Sequence, residues 1–103
     1  MNKKEEIIPE LNNKKIESMI YEIRGVKAML DYDLARIYGY ETKSFNRQVN
    51  NNIEKFPERY RFRLTKEEMI TILRCKNFTS SWGGMRYLPY AFTEQGIYML
   101  MTS

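Results

Sequence analysis

Between Thr42 and Phe56 the chain places Lys43, Asn46, Arg47, Asn50 and Asn51 at spacings that share one side of a helix. These side-chain types match DNA base edges, because asparagine suits adenine and arginine suits guanine in the major groove. Arg59, Arg61 and Arg63 follow, alternating with Tyr60, Phe62 and Leu64. That is strand periodicity with one basic and one apolar face. From Arg36 to Lys66 eight basic residues stand against three acidic ones, a local balance of +5, while the rest of the chain carries −1. Cations gathered around a reading helix neutralise phosphates and fix its register. The spacing therefore assigns Asn46, Arg47 and Asn50 to base reading, and Lys43, Arg59, Arg61 and Arg63 to phosphate binding. The plainer alternatives are a solvated helix face and a charged sheet edge that blocks unwanted pairing. Asn50, Asn51 and Asn52 in a row weaken a helix, and the sequence offers no reason for them.

Other chemistries lack their residues. The chain has no histidine and one cysteine, Cys75. Histidine-based triads, cysteine–histidine zinc sites and an internal disulfide are thereby ruled out. Gly83-Gly84 is too short for a phosphate-cradling loop. Glu67 and Glu68 are adjacent and would not face each other on a helix. A metal-dependent nuclease built on Asp and Glu is the lesser alternative, with no spacing in its favour. The apolar runs are far shorter than a membrane span, and Met1 to Glu6 do not read as a signal peptide. The expectation is a cytoplasmic, non-enzymatic protein without cofactor, metal or membrane attachment. Its net charge of +4 suits an anionic partner.

The elements that must position these residues are legible from periodicity. Residues 1–15 read as a flexible N-terminal arm, and residues 16–103 as one folded domain. Ser18–Ile23 and Val26–Leu30 read as strands joined at Arg24-Gly25. Asp31 is placed to cap a helix through Leu34, Ala35, Ile37 and Tyr38, which Gly39 stops. Thr42 caps a second helix, 42–56, with Phe45, Val49, Ile53 and Phe56 as its apolar stripe and Pro57 beyond its end. Two short helices meeting at a glycine make a helix-turn-helix, with Ala35 at the close crossing and Phe45 pointing back. Thr65 and Glu68 form a capping box for a supporting helix that buries Met69, Ile72 and Leu73. Asn77–Gly84 reads as a polar loop holding Trp82. Arg86, Tyr87 and Leu88 read as a strand paired with Tyr60–Leu64, the wing of a winged helix. Thr93 caps a last helix carrying Ile97, Leu100 and Met101. The fold class is α+β: a small, winged-helix-like helix-turn-helix domain with short antiparallel hairpins.

Two ordered blocks carry a family resemblance. The first runs Ile23-Arg24-Gly25, Met29-Leu30-Asp31, Asp33-Leu34-Ala35, Tyr38-Gly39, Thr42, Asn46, Val49, Asn52-Ile53, Phe56-Pro57-Glu58, Phe62, Leu64-Thr65 and Glu67-Glu68. The second is Gly84, then Arg86 through Gly96. Together they resemble the KilA-N DNA-binding domain, and more narrowly its phage ORF-six N-terminal branch, over residues 16–103. The resemblance implies double-stranded DNA as partner, a place in a phage or prophage regulatory protein such as an antirepressor, and a further domain beyond residue 103. A homodimer and a repressor protein stand as further partners. Many relatives carry a basic pair after the valine of the second helix, where this chain has Asn50-Asn51. That departure throws weight onto Lys43 and Arg47. The rival reading, a protein-interaction module, predicts an exposed apolar patch near Trp82 and Tyr90.

Overall fold

A computed structural model describes residues 13–75 and 87–102 of the chain. Residues 1–12, most of the expected arm, and 76–86, with Trp82 and Arg86, lie outside the described residues. In chain order the elements are α1 (Asn13–Glu17), β1 (Ile20–Ile23), β2 (Val26–Leu30), α2 (Asp31–Tyr38), α3 (Thr42–Asn50), β3 (Arg61–Arg63), α4 (Lys66–Cys75), β4 (Tyr90–Thr93) and α5 (Glu94–Thr102).

The four strands make one antiparallel sheet in the order β1-β2-β4-β3. Strand β4 lies inside, pairing Phe92 with both Met29 and Arg61, and Ala91 with both Leu30 and Phe62. Because side chains alternate across a strand, the sheet has two apolar faces. Met29 and Phe92 join Leu34, Ala35, Phe45, Val49, Phe56 and Leu100 in one core. Ala28, Leu30, Phe62 and Ala91 join Met69, Ile72 and Leu73 of α4 in the other. The helix-turn-helix and α5 thus cover one face, and α4 the other.

The first hairpin turns through Arg24 and Gly25, at φ 56° and 79°. Two successive left-handed residues match the twist of antiparallel strands. Arginine is strained in that region, and three contacts hold it there. Arg24 forms an ion pair with Glu68 at 2.8 Å, donates to the Arg63 carbonyl at 3.2 Å and lies 4.1 Å from the Phe62 ring centre.

Helix α2 follows β2 without a linker and ends at Gly39, whose φ of 78° closes the turn. Neither Asp31 nor Thr42 is a cap; the capping positions fall to Leu30 and Glu41, without side-chain cap bonds. Helix α3 ends at Asn50, short of the expected residue 56, and a single 3-10 turn spans Ile53–Lys55. The Asn52 amide donates back to the Gln48 carbonyl at 3.1 Å, a local bond that competes with helix continuation. Phe45, Val49 and Phe56 are buried as expected, while Ile53 is 49% exposed because the stripe breaks with the helix. The Thr65–Glu68 capping box is present in both directions, at 2.8 and 3.1 Å. The Thr93 hydroxyl accepts from the Gly96 N–H at 3.4 Å, which caps α5.

One pairing differs from expectation. The partner of β3 begins at Tyr90, whereas Tyr87 and Leu88 precede the strand. Pro89 lacks the N–H for a ladder, so pairing starts after it. The result is an interior strand rather than a free wing.

Candidate nucleic-acid interface

Residues 43, 47 and 50 of α3 follow one another by a turn each, so their side chains form a ridge along the helix. The buried Phe45 and Val49 fix that ridge outward, because they pin the opposite edge of α3 to the sheet. Phe45 packs edge-on against Phe92, with ring centres 5.6 Å apart, and Phe56 meets the same ring at 6.1 Å. Lys43, Arg47 and Asn50 are exposed. They border an open groove together with Asn46, Asn51, Arg63, Tyr87 and Tyr90. Beneath it the wall is apolar, from Met69, Leu73 and Leu88. None of Lys43, Arg47 and Arg63 forms an ion pair with a described residue.

Two of the expected site residues are engaged inside the protein. Asn46 was expected to probe bases. Its amide instead donates at 2.8 Å to the carboxylate of Asp31, whose same oxygen accepts the Tyr90 N–H at 3.2 Å. Asp31 is 4% exposed. Burial pushes its carboxyl above the usual range, against the pull of hydrogen bonds from Asn46, Tyr90 and Tyr32. A buried carboxylate needs such donors, and α3 turns Asn46 inward far enough to supply one. The junction ties α2, α3 and β4 together.

Arg61 was expected to hold phosphate from an exposed basic face. It is 7% exposed, because its side of β3 is the side that α3 covers. Its guanidinium donates to the Asn50 side-chain oxygen at 3.1 Å and lies 3.9 Å from the Tyr90 ring centre. Burial lowers its pKa from the ordinary value. Arg63 lies 4.4 Å from the same ring, from the exposed end of the strand. Tyr90 is therefore half-buried beneath two guanidinium groups, a cation–π arrangement; Trp82, the other residue of the expected apolar patch, lies outside the described residues. Arg59 is exposed but does not border the groove.

The groove thus brings together Lys43, Arg47, Asn50 and Arg63, sets Asn46 and Arg61 behind them, and leaves Arg59 aside. Sequence reasoning missed the roles of Asp31, Tyr90 and Arg24. Asp31 was legible only as a helix-start residue, and the bond it makes spans 15 positions to Asn46. No group of histidine, cysteine and acidic residues suited to a metal ion occurs among the described residues. No helix there is long and apolar enough to cross a membrane.

The arrangement defines an α+β domain that presents a helix-turn-helix from a four-stranded antiparallel sheet. The chain belongs to the ORF6N domain family, whose model matches residues 18–103. No curated protein and no solved structure matches it.

Proposed function

We propose that this domain binds double-stranded DNA in a sequence-specific manner, with α3 in the major groove. The observation that carries the reading is the exposed ridge of Lys43, Arg47 and Asn50 facing Arg63 across one groove, with the apolar edge of α3 anchored on Phe92. Arg47 and Asn50 reach base edges, and Lys43 and Arg63 hold phosphates on either side; Arg59 adds a peripheral phosphate contact. The resemblance to KilA-N domains supports this reading and gives the setting: a cytoplasmic regulatory protein of a phage or prophage, antirepressor-like and without enzymatic activity.

Fluorescence anisotropy with duplex DNA at low and high salt tests it. Cations that displace counterions from phosphates make affinity fall steeply as salt rises. Weak binding that is indifferent to salt would refute the proposal and favour the protein-interaction reading, with a repressor as partner.

A further inference from the structure

Strand β4 starts at Tyr90, directly after Pro89, and its register sets Tyr90 opposite Arg63. Side chains directly opposite in an antiparallel pair meet, and a diagonal neighbour two positions away is within reach if it is long. Arg63 is the opposite residue and Arg61 the diagonal one. Both guanidinium groups accordingly lie over the same ring, 4.4 and 3.9 Å from its centre. They spend their donors differently. Buried Arg61 donates inward to the Asn50 oxygen. Exposed Arg63 makes no side-chain hydrogen bond and no ion pair with any described residue. A guanidinium resting on an aromatic face keeps its N–H donors at its rim. The backbone that carries the ring is itself fixed, because the Tyr90 N–H donates to the buried Asp31 carboxylate at 3.2 Å.

Resting on the DNA-binding reading, we infer that Tyr90 is the positioning residue for Arg63, its ring holding that guanidinium at the groove with its donors uncommitted, ready for a backbone phosphate of the duplex. An exposed arginine ordinarily loses rotamer freedom when it grips an anion. A side chain already laid against a ring has given up much of that freedom before the ligand arrives, so less affinity is lost in ordering it. Arg63 and Tyr90 both border the groove that Lys43 and Arg47 border from α3. Phosphate contact carries no sequence information, so the contribution of Tyr90 is the same on every duplex.

The test uses the intact chain and a duplex of random sequence, with affinity read by anisotropy at low and high salt. Tyr90→Phe keeps the ring and is expected to bind as the parent chain does. Tyr90→Leu removes it and is expected to weaken low-salt binding about two- to fivefold, the size of one exposed cation–π contact. In the Arg63→Ala background the same Tyr90→Leu change is expected to cost nothing further, because the ring then has no phosphate ligand to place. Should Tyr90→Leu fail to melt cooperatively, replacing Tyr90 by pentafluorophenylalanine keeps the ring's shape and draws electron density from its face. The same loss, with the same dependence on Arg63, is then expected. An equal loss with and without Arg63, no loss on removal of the ring, or a loss for Tyr90→Phe as large as for Tyr90→Leu overturns the role of Tyr90 and leaves DNA binding intact. A parent chain whose binding is weak and indifferent to salt overturns both.

Discussion

The Asn46 side chain donates its amide hydrogen to the Asp31 carboxylate across 2.8 Å, joining the middle of α3 to the first residue of α2. The angle of the helix-turn-helix is therefore set by a polar bond as well as by the Phe45 and Val49 packing. Asn46→Ala leaves a buried carboxylate short of one donor, which costs about 1–3 kcal/mol. Urea denaturation is expected to show that loss. Asn46→Asp is expected to cost more, because two carboxylates would then share the site. A stability within about 0.5 kcal/mol of the parent chain for Asn46→Ala, the range of ordinary surface changes, would remove the junction from the account.

On the proposed DNA-binding reading, Arg47 and Arg63 separate base reading from phosphate contact. Arg47→Ala is expected to weaken binding to a selected site by about tenfold or more while altering random duplex little, as loss of a base contact does. Arg63→Ala is expected to weaken both alike and lower the salt slope by about 1, as loss of a phosphate contact does. Both side chains are exposed, so melting temperatures are expected to stay near the parent value. Uniform loss on every sequence for Arg47→Ala would count against base reading.

Gly39 and Gly96 cannot become alanine, for different reasons. At Gly39 a Cβ meets nothing within 4 Å, but φ is 78°, so the cost is the left-handed conformation, about 1–2 kcal/mol. Asparagine, which tolerates that region, is expected to recover much of it. At Gly96 a Cβ would press on the Tyr60 carbonyl oxygen, a contact no real Cβ makes. Gly96→Ala is expected to cost about 3 kcal/mol or more, the upper range of overpacking, with Gly96→Asn worse still. Equal rescue by asparagine at both positions, measured by thermal melting, would contradict this division.

Acid titration reads two carboxylates of opposite sign. Arg24 donates to Glu68 and holds its carboxyl below the usual range. Its contribution to stability is full above the unfolded value near 4.3 and is lost as pH falls through the lowered folded value. Asp31 is shifted upward by burial. Its contribution is present below the unfolded value near 3.9 and is lost as pH rises through the raised folded value. Glu68→Gln is therefore expected to flatten the acid loss of stability, and Asp31→Asn to steepen it. The same direction of change in both variants, followed by denaturation at stepped pH, would show that one environment has been misread.

The sequence made the local structure legible wherever a short-range rule governs it. The Arg24-Gly25 hairpin, the Gly39 stop and the Thr65–Glu68 box all depend on neighbours within a few positions, and each is present. The α+β class and the helix-turn-helix followed from these. What escaped was long-range. Alternation through Arg59, Arg61 and Arg63 separates two faces of a strand, but it cannot say that both faces are covered. Arg61 looked solvated because a basic residue at period two ordinarily is; the packing of α3 over that side of β3 buried it. Likewise Asn46 and Arg47 are neighbours on one helix, and only the placement of Asp31 tells which of them turns inward. Part of the asparagine run found its reason at a distance, where Asn50 accepts from Arg61, while Asn52 bonds locally to the Gln48 carbonyl.

Strand β4 comes late in the chain yet lies between β2 and β3, and α3 rests on its Phe92. During synthesis the helix-turn-helix emerges well before the strand that seats it. A nascent chain ending near Cys75 would have both helices and Met29 of β2, but not the Phe92 ring on which Phe45 and Phe56 pack. Pairing across such long sequence separations is slow to form. The seat of α3 is therefore complete only once residues 90–93 have joined the sheet.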